Sequence, residues 1–306
     1  MPTLVSAASD AQKVFLGSTG LLNAVYTAVD PIEGYPYKTL NIPIPARAVA
    51  TNVAAGDFNF NDLSDTNQPV TLDTNIETGF VIRSFEQWTS PDLLRTVFLD
   101  AAVKSCIRKV DDTIAAVITT GNFTNATVAN TGGTTNVFSV ANFLTARTAL
   151  ANAGVPVDDL ANMSFVQPET AYQAMLGDTA WTAATSVGSA LAGNIRESGS
   201  IPIAFSTHLS ADLSLGTLTT GSASAHIYTG ALLHRYAIVV ASAKMPAPRP
   251  SEVVDFVDMI IAGLPFRIMV SYSHTKAAWL VSVNCGLGVA PMRPEALNIC
   301  LIKQTP

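Results

Sequence analysis

The chain has 306 residues and a mass of 32.1 kDa, enough for one large or two ordinary domains around a sizeable core. Only 13% of its residues are charged and 48% are hydrophobic; the first figure is about half the usual share for a soluble domain, and the second excludes disorder over the whole chain. Net charge is -6 with no basic tract, which excludes a phosphate-clamping nucleic-acid binder and leaves a sparsely charged surface suited to cover by other protein.

Residues 1–32 carry scattered apolar positions, among them Phe15, Leu16, Leu21 and Leu22, broken by Gly17 and Gly20. So irregular a segment reads as an arm that packs on something else. Its first residues, MPTLVSAASDAQK, lack the basic start and apolar block of a secretory signal. Pro36 to Pro45 alternates but holds prolines, which predicts an edge strand or extended arm because proline cannot donate to a ladder. A polar stretch follows, and VTLDTNIETGFVIRS from Val70 alternates again. A connection of more than ~20 residues between two strands is too long for a turn and is usually functional or disordered.

Ser90-Pro91-Asp92 is a helix start, with a capping oxygen, a proline suited to the first position and an acid at the positive helix end. Leu94, Val97, Ala101, Val103, Ile107, Val110, Ile114 and Val117 then step by three and four to about Thr119, which predicts a helix of roughly 43 Å. Its other face pairs Asp100 with Lys104 and Arg108 with Asp112 at helical spacing. Between Thr119 and Asn136 almost every residue is Thr, Asn or Gly, a loop or a β-excursion.

Ser139 caps a predicted helix ending near Ala153, closed by Gly154 and Pro156. Met163–Val166 predicts a strand, Pro168 to about Trp181 a helix, and 185–200 a Gly/Ser-rich loop. Short strands follow at Ile201–Ser206, His226–Tyr228 and Tyr236–Ala241. MPAPRPSE at 245–252 is a stiff connector to the β-rich runs Val253–Ile261, Leu264–Ser273 and Ala277–Val283, with a last strand at Ala296–Ile302.

Chemistry is hard to find. The four histidines, His208, His226, His234 and His274, have no zinc-ligand spacing, and there is no H-E-x-x-H, G-x-S-x-G or phosphate loop. Gly286-Leu-Gly288 has proline at 291 and no helix signal after it, so it does not open a dinucleotide loop. Asp111-Asp112 and Asp158-Asp159 are adjacent, and neighbouring side chains on a helix diverge. Cys106, Cys285 and Cys300 are odd in number and widely spaced, against a zinc or disulfide framework and in favour of a reducing cytoplasm. The sequons at Asn122, Asn125 and Asn162 are expected to be chance. No catalytic, cofactor or metal residues are assigned. The longest charge-free apolar run near the C-terminus, Met259 to Phe266, has eight residues, too few for a membrane span.

The order of these elements resembles the HK97-like major capsid protein of tailed bacteriophages. GYPYKTLNIPIPARAVATNVAAGDFNFNDLSDTNQPVTLDTN is similar to that family's E-loop. IETGFVIRSFEQWTSPDLLRTVFLDAAVKSCIRKVDDTIAAVI resembles the start of its P-domain and spine helix, NIRESGSIPIAFSTHLS its axial A-domain, and GLPFRIMVSYSHTKAAWLVSVNCGLGVAPMRPEALNICLI its paired P-domain strands and closing strand with an Arg293 to Ala296 turn. The resemblance implies an α+β HK97-like capsid fold. Its parts are an N-terminal arm (1–32), an E-loop (33–75), a first P-domain part (76–138) with spine helix 91–119, an A-domain (139–244), a second P-domain part (245–288) and a closing strand returning to the A-domain (289–306).

It further implies hexamers and pentamers of an icosahedral shell around double-stranded DNA, located in the virion and assembled in the host bacterial cytoplasm. The expected partners are copies of the chain, a portal, a separate scaffolding protein and, in some shells, a cement protein; DNA is contacted weakly and without sequence preference, and no membrane is involved. Candidate contacts between subunits are Phe15, Leu16, Leu21, Leu22, Arg47, Asp57, Phe58, Phe60, Arg95, Lys104 and Arg108. Some family members crosslink through an E-loop lysine, but here Thr39 to Asp73 contains no lysine and Lys38 stands at the base, so no crosslink is expected. The rival readings are an encapsulin-like nanocompartment shell, a secreted β-rich adhesin or surface-layer protein, and a hydrolase, which lacks a nucleophile-base set.

Overall fold

The computed structural model describes residues 21–30, 38–44, 66–83, 91–130, 138–167, 175, 197–198, 201–205, 226–247, 255–261 and 263–304. The predicted helix from Pro168 apart from Met175, the loop at 185–196 and the greater part of the connection between the first two predicted strands lie outside them.

Sheet one contains β1 (Tyr26–Asp30), β4 (Thr74–Arg83), β10 (Ile238–Ala243), β11 (Asp255–Ile261), β12 (Leu264–Ser273) and β13 (Ala278–Pro291). At its centre, β13 pairs with β12 along its first half, with β4 on its other side and with β10 over its last residues. Val281, Val283, Cys285 and Leu287 alternate along β13 and are all buried, the period-two pattern of a strand with one face on a core.

That face is covered by α1 (Pro91–Val117), which begins on the proline expected at its first turn. Leu99, Ala102, Val103, Cys106, Ile107, Val110, Ile114 and Ile118 form its buried stripe, while Lys104, Arg108, Lys109 and Asp112 are exposed. Two positions assigned to the stripe from sequence are corrected: Ala101 is exposed and Val117 half-buried, with Ala102 and Ile118 facing the core instead. The stripe runs one residue later there than the sequence reading placed it, and it includes Cys106, whose Sγ donates to Val283 O at 3.6 Å.

Sheet two contains β5 (Val128–Asn130), β6 (Met163–Gln167), β7 (Glu197–Ser198), β8 (Ile201–Phe205), β9 (His226–His234) and β14 (Leu297–Gln304), in the order β5-β14-β9-β6-β8-β7. Against it lies α2 (Val140–Asn152), capped as expected by Ser139 Oγ accepting from Asn142 N at 3.2 Å. The helix ends in a left-handed Gly154 (φ 80°), with Val155 N donating to Leu150 O at 3.1 Å, a Schellman closure. Phe143 of α2 and Phe138 before it stack on Phe165 of β6 at ring distances of 5.3 and 5.7 Å. One hydrophobic core runs continuously from α1 and sheet one into sheet two.

The third element is a two-stranded antiparallel ribbon, β2 (Thr39–Ile44) with β3 (Thr66–Thr71). In a two-stranded ribbon both strands are edges, so Pro43 and Pro69 are tolerated. Leu40, Ile42 and Ile44 alternate inward and, with Val70 and Leu72, rest on Val239, Ala241 and Ala243 of β10 and on Met292. Because Ile238 and Val240 face the main core, β10 is buried on both faces.

Several sequence expectations are revised. Leu21 and Leu22 are 0% and 2% exposed inside the chain's own core, and β1, which follows them, pairs in parallel with β10. These two leucines are therefore not surfaces for a neighbour. β9 continues past Tyr228 to His234, β10 starts at Ile238 rather than Tyr236, β13 continues past Val283 to Pro291, and β3 starts at Thr66. β10, within 139–244, is a strand of sheet one, and β5, within 76–138, is a strand of sheet two.

Candidate functional site

Gly286 and Gly288, rejected from the sequence as a dinucleotide loop, are interior to β13. A Cβ at Gly288 would stand 2.1 Å from Thr71 O, so the missing side chain is what lets the ribbon base sit directly on the sheet. Leu72 N donates to Lys38 O at 2.9 Å to close that base, and Asp73 N to Thr71 O at 3.1 Å turns the chain into β4.

Among the described residues, no group of three or more His, Cys, Asp and Glu side chains could hold a metal ion, and no helix is long and apolar enough to cross a membrane. The three cysteines are buried. Burial pushes the thiols of Cys285 and Cys300 up to about 12 and raises that of Cys106, which removes the thiolate that nucleophilic chemistry needs. The acid pairs diverge: Asp111 is buried and Asp112 exposed on α1, while Asp158 is exposed and Asp159 turns toward Asn162 and His234. All three sequon asparagines use their side-chain amides internally: Asn122 donates to Val117 O, Asn125 to Glu295 O and Leu297 O, and Asn162 to Asp159 Oδ2.

A cleft of about 430 Å³ lies where the ribbon base meets the ends of both sheets, lined among others by Tyr26, Ile42, Pro156, His234, Tyr236 and Arg293. His234 ends β9 and is 5% exposed. Its Nδ1 accepts from Tyr236 N at 3.4 Å, its Nε2 lies 3.6 Å from Asp159 Oδ2, and its ring is 5.4 Å from that of Tyr236. Burial lowers its pKa; the Asp159 carboxylate opposes that shift and the Arg293 charge adds to it. Among the described residues, no serine, threonine or cysteine lines the cleft beside the His-Asp pair.

Along the face of sheet one turned away from α1, Val81, Phe256 and Ile260 are 42%, 37% and 66% exposed. Sequence reading did not single out these exposed residues, because which face of a strand is left open depends on the element covering the other. Lys104 and Arg108 project from the exposed face of α1. Arg95 belongs to α1 with its side chain outside the described set, and Phe15, Leu16, Arg47, Asp57, Phe58 and Phe60 lie outside the described residues.

No family model matches the sequence, and no curated protein does. Solved structures do. The capsid of Ralstonia phage GP4 is similar over 94% of this chain and 92% of that one, with a TM-score of 0.62 at 9% identity. The head structure of Helicobacter pylori bacteriophage KHP40 matches over 95% and 90%, at 0.56 and 14%. A virus-like particle from Pyrococcus furiosus matches over 96% and 97%, at 0.51 and 10%. Sheets, helices and ribbon together make up the fold of phage capsid shell proteins, and it is as a fold that the resemblance to the HK97-like major capsid proteins of tailed bacteriophages holds.

Proposed function

We propose that this chain is a major capsid protein that assembles into hexamers and pentamers of an icosahedral shell enclosing double-stranded DNA. The observation that carries the reading is likeness over nearly the whole length of both chains to the capsid of Ralstonia phage GP4, rather than likeness of one module. The described interior is consistent with it: the three thiols are buried. Low surface charge suits a subunit covered on several sides, and a net charge of -6 suits a container that holds DNA without clamping it.

In this reading the ribbon is the base of an extension that reaches a neighbouring copy through residues 45–65, where Arg47, Asp57, Phe58 and Phe60 stand; an extended strand pair with apolar residues is a common way to add one chain to another. Arg95, Lys104 and Arg108 are the proposed contacts on α1. Scaffolding protein, portal and any cement protein are separate chains, and assembly takes place in the host cytoplasm.

Negative-stain microscopy of the expressed protein tests the proposal. Closed particles support it, and a chain that sediments as a monomer after co-expression with its neighbouring phage genes overturns it. Likeness to the virus-like particle from Pyrococcus furiosus favours a second reading, a nanocompartment shell of the encapsulin type. A portal or terminase gene beside this one selects the phage reading, and a cargo-enzyme gene with a docking tail selects the compartment.

A further inference from the structure

Two 3-10 turns join the sheets: Arg235–Ala237 leads from β9 to β10, and Pro294–Ala296 from β13 to β14. They are tied together through Ala237 O, which accepts from Met292 N at 2.8 Å and from Arg293 N at 3.3 Å. His234 immediately precedes the first turn, and its Nδ1 accepts the Tyr236 N–H that the turn leaves free. An imidazole that accepts at Nδ1 carries its hydrogen on Nε2 when neutral. That Nε2 is buried without a hydrogen-bond partner, 3.6 Å from Asp159 Oδ2.

Protonation would place a second hydrogen at Nδ1, facing the Tyr236 N–H. The capping bond is then lost and two donors oppose one another. We propose that His234 is an acid-sensitive latch on the joint between the two sheets, holding the first turn while neutral and releasing it when protonated.

Among the described residues, several charged or titratable groups stand around the ring, with the exposed Arg235 next to it in the chain. Asp159, in the loop after α2, favours the proton, and Arg293, at the start of the second turn, opposes it. Tyr236 shares the turn with the ring, Tyr26 stacks on Tyr236 from β1 at 5.3 Å, and Glu295 lines the same cleft. Burial outweighs Asp159, so the closed joint binds a proton less readily than an open one, whose histidine titrates near 6.5. The latch is therefore fully effective above 6.5 and weakens as the pH falls from there toward the lower value of the closed state. The inference concerns the joint of the single chain and stands whether or not the shell reading does.

Hydrogen exchange on the full-length protein at pH 7.5 and 5.5, corrected for intrinsic rates and referenced to Val103–Val110 of α1, tests it. Opening at the amides of 236–239 and 292–297 should rise by up to about tenfold at the lower pH. His234→Asn keeps an acceptor for Tyr236 N–H without a titrating group, and should abolish the rise. Asp159→Asn removes the group that favours a proton on the closed joint, lowering the closed-state pKa further, and should enlarge the rise while its onset near 6.5 stays where it is; this comparison stands alone if His234→Asn does not fold. Joint amides indifferent to pH in the natural protein, an undiminished rise in His234→Asn, or a rise in Asp159→Asn no larger than the natural one would each overturn the proposal.

Discussion

Arg267 and Asp258 face each other in register across β12 and β11, joined by two bonds: Nε to Oδ1 at 2.6 Å and Nη2 to Oδ2 at 2.9 Å. The guanidinium also donates to Met245 O at 2.7 Å and to Pro246 O, and lies 5.0 Å over the ring of Phe256. One side chain thus ties the proline-rich connector to the outer pair of strands. Arg267→Met should cost about 3 kcal/mol in urea denaturation of the unassembled subunit, the low end for breaking a buried pair, because Lys244 still reaches Asp258 at 3.5 Å. Arg267→Met combined with Asp258→Leu should recover part of that loss, since no carboxylate is then stranded. Full additivity of the two changes would contradict the coupling.

Gly288→Ala should destabilise the subunit by about 1–3 kcal/mol, the usual range for overpacking. The added carbon would fall 2.1 Å from a backbone oxygen that no rotamer change can move. Gly286→Ala is the control, because its new carbon meets only Met245 Cε at 3.6 Å. Urea midpoints of the two variants should separate clearly; equal midpoints would refute the close seating of the ribbon.

Thiol reactivity should be all-or-none. The thiolate is the reactive species, and burial disfavours it at all three positions, to about 12 at Cys285 and Cys300. Titration with an aromatic disulfide reagent at pH 8 should find no reactive thiol in the native protein and three in guanidinium. Even one fast-reacting thiol in the native state would contradict the burial.

In the proposed shell reading, particles of this chain should dissociate to a single band near 32.1 kDa on a denaturing gel. The ribbon and the segment it carries contain no lysine between Thr39 and Asp73, so the amine for an isopeptide bond there is missing. A covalent ladder would overturn this expectation.

Removing residues 50–66 should leave a folded chain that forms no closed particles. Val70, Leu72 and Ile42 keep their seat on β10, so thermal unfolding should change little while electron micrographs lose their shells. Intact particles from this deletion would remove the extension from the assembly reading.

Sequence periodicity located the elements well where a local rule governs them. Ser139, Gly154, Pro91 and the three-and-four stepping of α1 each act within a few residues of themselves. It failed where a residue answers to a distant part of the chain. The predicted strands stop at Tyr228 and Val283, yet β9 and β13 run on through Gly230, Gly286 and Gly288; at Gly230 the glycine admits a neighbouring backbone, since a carbon there would lie 3.1 Å from Val166 O. Leu21 and Leu22 looked like a loose arm because nothing near them announces the parallel pairing of β1 with β10. Arg267 and the His234 joint carried no pattern at all, since their partners lie on other strands and loops.

Being packed on both sides has a mechanical consequence for β10. Odd-numbered residues from Val239 bear the ribbon, and Ile238 and Val240 bear the main core, so a single layer of backbone separates the two loads. A tug on the ribbon's far end therefore meets a fulcrum with no slack, and the torque passes through that strand to the helix side of the molecule.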